Sequence, residues 1–227
     1  MSDRRRRLFG RVCLWAGVIG ALQAVVLAIV PAQVDKARFS YPFDVTGHTV
    51  AQTSFFVQHL GLLAGMVALC CIPAARLTRS TRWGLRAGTA GMGLLAVMEL
   101  IAIAPANEPL SSDLATTVNG IYSVPVLLIG FGMTIGGVGL ARQTEPTTPG
   151  WLRWIPTAVG VWVFAPLSPA LMGPFVAGRA AIGSWMLLFV ALGWGLMQES
   201  HPAWNLRADA AADRSVAPAA ASQRAAN

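Results

Sequence analysis

The chain has 227 residues, of which 55% are apolar and only 12% are charged, and its mean hydropathy is +0.56. A soluble domain carries about 25% charged residues, so this composition excludes a water-soluble globular protein and favours an integral membrane protein. The net charge of +7 comes from residues that flank apolar stretches. We therefore expect the chain to contact the lipid bilayer and not nucleic acid.

Six segments are apolar enough to cross a hydrocarbon core of about 30 Å, which requires about 20 residues of helix. Because lipid offers no hydrogen-bond partners to an exposed backbone, the sequence predicts an all-α bundle of six transmembrane helices. The predicted spans are residues 12–30, 54–72, 85–104, 121–140, 154–172 and 180–197. Residues 1–11 form a basic segment before this domain (12–197), and the Ala-rich residues 198–227 are predicted to be a disordered tail.

The positive charges predict an orientation. Only Lys36, Arg38 and Arg179 lie on the side opposite to the N-terminus if all six segments cross the membrane. Cytoplasmic segments are enriched in Arg and Lys, so we predict a multi-pass protein of the plasma (inner) membrane with both termini in the cytoplasm. The arginines on the predicted cytoplasmic side are Arg4, Arg5, Arg6, Arg7, Arg11, Arg76, Arg79, Arg82, Arg86, Arg142, Arg153, Arg207, Arg214 and Arg224.

The first predicted span has two interpretations. The arginines at 4–7, the apolar run that follows and the sequence Val30-Pro31-Ala32 are similar to a cleaved signal peptide. The apolar run is longer than the usual signal core of about 7–15 residues, which favours a helix that stays in the membrane.

One acidic residue, Glu99, lies inside a predicted span. A carboxylate near mid-membrane costs at least about 2.5 kcal/mol on insertion scales, so it normally faces the bundle interior and a polar partner. His59, on the neighbouring antiparallel span, lies at a similar depth and is the expected partner. Other polar side chains toward the outer ends of the spans are Gln23, Gln58, Asn119, Tyr122 and Arg179.

This polar group allows more than one interpretation. It forms either an outward-facing pocket that binds or transports a small polar or amphipathic ligand (a solute or a lipid), or a hydrogen-bonded cluster that only stabilises the bundle of a structural or accessory subunit. In the first case Glu99 and His59 are a titratable pair and Arg179 anchors an anion. An intramembrane enzyme with Glu99 as general base is the least favoured interpretation, because no nucleophile or metal set accompanies it.

Two outer connections are unusual. Residues 32–53 are expected to cover the outer end of the bundle, with Phe39, Tyr41 and Phe43 packing downwards. Asp44 and His48 would share a helix face, but nearby Pro and Gly favour turns, and these residues do not make a convincing metal site. The turn at 166–179 is too apolar for a water-exposed loop and is expected to fold into the bundle mouth or to lie in the membrane interface.

We expect no metal or cofactor, because the sequence lacks phosphate-loop, nucleophile-elbow, HExxH and GxGxxG motifs. Gly132 and Gly136 form a small-xxx-small pair that predicts close helix packing, within the molecule or, alternatively, in a homodimer. Short motifs in residues 65–86 recur at 132–153, which indicates either a duplicated hairpin or the compositional similarity of Arg-rich loops.

Overall fold

The computed structural model describes residues 1–71, 77–143 and 151–198. These residues are almost entirely helical, and no β-strand occurs among them. The helices are α1 (Asp3–Ile29), α2 (Val45–Cys70), α3 (Arg79–Ile101), α4 (Asp113–Gln143), α5 (Ile155–Trp162), α6 (Ser168–Leu171) and α7 (Phe175–Met197). A 3-10 turn, Leu152–Trp154, precedes α5, and a π-helical segment, Val163–Leu167, joins α5 to α6.

Five of these helices, α1, α2, α3, α4 and α7, are long and apolar enough to cross a membrane. The continuous segment Ile155–Leu171 is apolar but shorter. The predicted all-helical fold is therefore confirmed and its long helices could cross a membrane, whereas the count of six spans stays a prediction. Arg76, Arg207, Arg214, Arg224, the tail beyond residue 198 and part of each repeated motif lie outside the described residues.

Two helices begin nine residues earlier than predicted. In α1 the Ser2 hydroxyl accepts the Arg5 N–H (3.4 Å), and in α2 the Asp44 carboxylate accepts the Gly47 N–H (2.7 Å). Gly47 therefore lies in a helix, and the prediction of a turn there is wrong. Asp44 stabilises the helix start because it accepts a hydrogen bond from an N–H of the first turn that has no partner within the helix. Hydropathy does not detect such capping, and it placed both starts too late.

The helices close a ring. From α1 to α5 each helix packs against the next, α5 and α6 both contact α7, and α7 runs along α1. Gly132 and Gly136 lie in the contact between α3 and α4, where a Cβ on Gly84 would stand 2.6 Å from the Gly136 nitrogen and a Cβ on Gly132 would collide with the main chain of Gly88. Glycines on both helices thus let the backbones approach closely within one molecule.

The two ends of the ring differ. We call the end formed by residues 30–44, 102–112 and 172–174 the capped end, and the opposite end, with the N-terminus, the arginine end. Toward the arginine end the interior is filled by fully buried side chains, among them Leu62, Met66, Leu85, Met133 and Phe189. Toward the capped end the interior contains a cavity.

A cap covers that cavity. Two connections hydrogen-bond to each other: the Phe39 N–H donates to the Glu108 carbonyl (3.0 Å) and the Leu110 N–H to the Ala37 carbonyl (2.7 Å). Phe39, Tyr41 and Phe43 are partly buried and line the cavity, as predicted. Tyr41 also packs edge-to-face on Phe175, with ring centroids 5.3 Å apart.

Arg6 has a structural role that the charge pattern did not reveal. It is 3% exposed, and its guanidinium donates to the carbonyls of Leu196 (3.1 Å) and Gln198 (3.2 Å) at the end of α7. Carbonyl groups at a helix C-terminus lack intrahelical donors. Arg6 therefore satisfies the last turn of α7 and fixes it to the start of α1.

Candidate functional site

A cavity of about 640 Å³ lies inside the ring at the capped end. Side chains of α1, α2, α3, α4, α6 and α7 line it, together with the cap and the π-helical segment. All seven polar residues singled out from the sequence are among its lining residues: Gln23, Gln58, His59, Glu99, Asn119, Tyr122 and Arg179.

Glu99 is 7% exposed and lies near the end of α3. Its Oε2 accepts a hydrogen bond of 3.0 Å from the Tyr122 hydroxyl on α4. Its Oε1 is 3.7 Å from the Nδ1 of His59 on α2, which is too long for a hydrogen bond. Oε1 has no hydrogen-bond donor among the described residues and is open to the cavity side of the cluster.

His59 is also 7% exposed, and its Nδ1 donates to the carbonyl of Phe55 one turn earlier (2.7 Å). The carbonyl can only accept, so this bond assigns the ring proton to Nδ1 and leaves Nε2 as an acceptor. No described residue donates to Nε2. The expected pair of Glu99 and His59 is therefore adjacent without a direct hydrogen bond, and Tyr122 is the nearer partner of the carboxylate.

Arg179 stacks its guanidinium on the ring of Phe175, 4.6 Å from the centroid. In the described ranges, no carboxylate lies within 4.0 Å of Arg179 and no acceptor is within hydrogen-bond distance. A guanidinium carries five N–H donors. Arg179 thus presents the largest set of unused donors among the residues that line the cavity.

The glutamines are only partly satisfied. Gln58 donates to the Ala16 carbonyl (3.4 Å) and contacts the sulfur of Met186 (2.9 Å), and Gln23 donates to the Ser54 hydroxyl (2.5 Å). The Oε1 atoms of Gln23 and Gln52 are buried without a hydrogen-bond partner among the described residues. An unpaired buried polar atom costs free energy.

Several residues that line the cavity were not predicted from the sequence to do so. Gln52 and His48 lie in the first turns of α2, in a stretch that hydropathy excluded from the span. Ser168 lines the cavity because the π-helical segment changes the direction of the chain: Pro166 has no N–H to donate, and both the Ser168 N–H and its hydroxyl bond to the Val163 carbonyl. A proline followed two residues later by serine was the only sequence signal for this.

Asp44 and His48 do not act together. Asp44 caps α2, while His48 is buried and its Nε2 donates to the Ala102 carbonyl at the end of α3 (3.0 Å). Its ring also packs edge-to-face on Phe39, with centroids 5.8 Å apart. Within the described ranges, no three His, Cys, Asp or Glu side chains are grouped so that they could hold a metal ion. His48 instead connects α2, α3 and the cap.

No protein-family model, curated protein or solved structure matches the chain. Function must therefore be inferred from the cavity itself.

Proposed function

We propose that the chain is a six-span protein of the plasma (inner) membrane, with both termini in the cytoplasm, that binds a small amphipathic molecule in the cavity at the capped end. The arginine distribution supports this orientation. Among the described residues, the cationic side chains of the capped end are Lys36, Arg38 and Arg179, and the other arginines lie at or near the arginine end. Cytoplasmic ends of membrane proteins carry this excess.

The observation that carries the proposal is the combination of cavity size and unused polar groups. A volume of about 640 Å³ lies within the range of about 300–1,000 Å³ that is typical of small-molecule sites. Unused donors on Arg179 and unused acceptors on Glu99 and His59 belong to residues that line a space that is otherwise largely apolar. A purely structural cluster would satisfy these groups internally.

Different lining residues suit different parts of the ligand. Arg179 binds an anionic group, because its five donors suit a carboxylate or a phosphate. Glu99 and His59 accept from a donor group of the ligand. Trp185, Ile182 and Val126, which line the space between the polar groups, contact its apolar part.

The test is to purify the full chain in a mild detergent and to measure by mass spectrometry which small molecules it retains. We expect the unmodified protein to retain an amphipathic molecule, and Glu99→Gln and Arg179→Gln to lose it while they remain folded by size exclusion and thermal unfolding. Glu108→Gln and Arg86→Gln remove the same charges outside the cavity lining and should retain it. A protein that retains nothing and binds no added amphiphile contradicts the proposal.

A structural or accessory role is the second candidate. The hydrogen bonds from Tyr122 to Glu99 and from His59 to Phe55 favour it, because they satisfy part of the cluster internally. In that case Glu99→Gln would reduce the amount of folded protein, and a second membrane protein would co-purify with the chain in stoichiometric amount. The same purification therefore separates the two roles.

A further inference from the structure

The exposed residues among those that line the cavity are not spread around it. On one side they are Leu110, Asn119 and Ser123, in α4 or just before it. On the other side they are Ser168, Leu171 and Met172, in α6 or just after it. Every other lining residue is buried or half-buried. The cavity is thus accessible along the gap between α4 and α6.

The local structure accounts for this gap. Farther toward the arginine end, α4 packs tightly on the fifth apolar segment, where a Cβ on Gly130 would stand 2.6 Å from the Phe164 ring. Phe164 belongs to the π-helical segment, which therefore still contacts α4, whereas α6 packs on this segment and on α7 but makes no extended contact with α4. A Cβ on Gly120 of α4 would meet nothing within 4 Å.

The cap closes the cavity along the bundle axis, since Phe39, Tyr41 and Phe43 cover that end and the two connections are hydrogen-bonded to each other. The gap between α4 and α6 lies instead on the side of the ring. In a chain that spans the membrane, the side of the ring faces lipid, and the space is therefore accessible from the bilayer.

The unused polar groups specify a head group. The open donors belong to Arg179 on α7. The open positions on α2 and α3 are acceptors: Nε2 of His59 and Oε1 of Glu99. A phosphate satisfies the guanidinium bidentately, and a primary ammonium, with three N–H donors, satisfies the acceptors.

We propose that the occupant is a membrane phospholipid with a phosphoethanolamine head group, which enters sideways between α4 and α6. Its phosphate binds Arg179, its ammonium binds the acceptors around Glu99 and His59, and its acyl chains leave through the gap into the bilayer. This proposal rests on the proposed function and deepens it. A trimethylammonium head group cannot donate hydrogen bonds, and a glycerol head group lacks the positive charge for Glu99, so both should bind less tightly.

The head group is tested with the full chain in nanodiscs that contain equal amounts of phosphatidylethanolamine, phosphatidylcholine and phosphatidylglycerol. The protein is then extracted in mild detergent, and the retained lipids are quantified. We expect phosphatidylethanolamine to be enriched, and Arg179→Gln to reduce the enrichment by about tenfold, as for the loss of a charge-assisted contact. Equal retention of the three lipids, or a preference for another one, overturns the head-group assignment.

The access route is tested with Ser123→Trp, which places a large side chain in the gap. Val124→Trp is the matched control, because Val124 is exposed on the same helix but does not line the cavity. Ser123→Trp should lower the retention of phosphatidylethanolamine from nanodiscs, whereas Val124→Trp should not. Ser168→Phe, on the facing side, repeats the test if Ser123→Trp does not fold.

The failure of this inference is distinguishable from failure of the proposed function. If Ser123→Trp retains as much lipid as Val124→Trp and the unmodified protein, sideways access is wrong and the binding site stands. If the protein retains another amphiphile through Arg179 and Glu99, the lipid assignment is wrong and the proposed function stands. If the unmodified protein retains no lipid or other amphiphile, both are wrong.

Discussion

Tyr122 donates a hydrogen bond of 3.0 Å to Glu99 and thereby ties α4 to α3 at the buried carboxylate. Interhelical hydrogen bonds of this kind contribute about 0.6 kcal/mol on average in membrane proteins and up to about 1.7 kcal/mol. We expect Tyr122→Phe to lower the free energy of unfolding by about 1 kcal/mol, because it removes only the hydroxyl.

A double-mutant cycle of Tyr122→Phe with Glu99→Gln measures the coupling between the two side chains in detergent unfolding. Contacting residues normally show non-additive effects of about 0.5 kcal/mol or more. Ser184→Ala, which removes a hydroxyl bonded only within α7, is the control. Strictly additive effects of the two changes would contradict the observed contact.

Because glycines bring α3 and α4 into close contact, we expect one added methyl group there to destabilise the protein strongly. Gly132→Ala places a Cβ against the main chain of Gly88, which cannot move aside as a flexible side chain can. Overpacking of this kind typically costs about 1–3 kcal/mol, and thermal unfolding in detergent measures it.

Gly120→Ala is the matched control for that change. Gly120 lies in α4 as well, but nothing stands within 4 Å of its Cβ position. Alanine there should leave stability unchanged or raise it by about 0.5–1 kcal/mol, because glycine is a poor helix former. Similar destabilisation by both substitutions would refute the close approach of α3 and α4.

A comparison of Arg6 with Arg5 distinguishes an arginine that stabilises the fold from one that only adds positive charge to the arginine end. Both are basic residues of the first helix, but Arg6 is buried against the end of α7, whereas Arg5 is exposed. Arg6→Gln should lower the unfolding free energy by about 1–2 kcal/mol, since carbonyl acceptors of a helix C-terminus lose a charged donor.

Arg5→Gln removes the same charge and should have almost no effect on stability. Thermal unfolding compares the two variants, and proteolysis after α7 reports the loosened end. If the variants melt at the same temperature, the hydrogen bonds of Arg6 to Leu196 and Gln198 do not contribute to stability.

Cys71 provides a native probe of orientation. It is an exposed thiol at the end of α2, at the arginine end, while Cys13 is buried. With the arginine end in the cytoplasm, a membrane-impermeant maleimide should label Cys71 in inverted membrane vesicles but not in right-side-out vesicles.

The opposite pattern is expected for Ser111→Cys in a Cys71→Ser background, because Ser111 is exposed at the capped end. Cys71→Ser alone shows the background from the two other thiols. Labelling of Cys71 from the outside would reverse the proposed orientation and place the cavity on the cytoplasmic side.

The approximate heights of polar residues along the helices could be predicted from the sequence, but their contacts could not. Counting about 1.5 Å of rise per residue placed Glu99 and His59 at similar heights and Tyr122 at the outer start of its span, and all three line one cavity. Height does not determine how each helix is rotated. For this reason the sequence favoured His59 as the partner of Glu99, whereas the rotation of α4 brings the Tyr122 hydroxyl closer.

The features of the cavity that could not be predicted depend on a helix cap and on an irregular helical segment. Gln52 and His48 were assigned to a connection because hydropathy does not register the helix cap at Asp44. The gap beside Ser168 depends on a π-helical segment, which no apolar periodicity indicates. The glycine pair at 132 and 136 was recognisable as a contact surface, but its partner, α3, follows only from the packed ring.

The contact of α1 with α7 also has a consequence for biosynthesis. Gly10 and Gly17 of α1 lie directly against the backbone of α7, and Arg6 donates to the carbonyls of residues 196 and 198. Because α1 precedes α7 in the chain, this contact can form only after α7 has been synthesised. A nascent chain stopped before α7 leaves the glycine surface of α1 uncovered and removes two carbonyl acceptors of Arg6, so it exposes a surface that the longer chain buries.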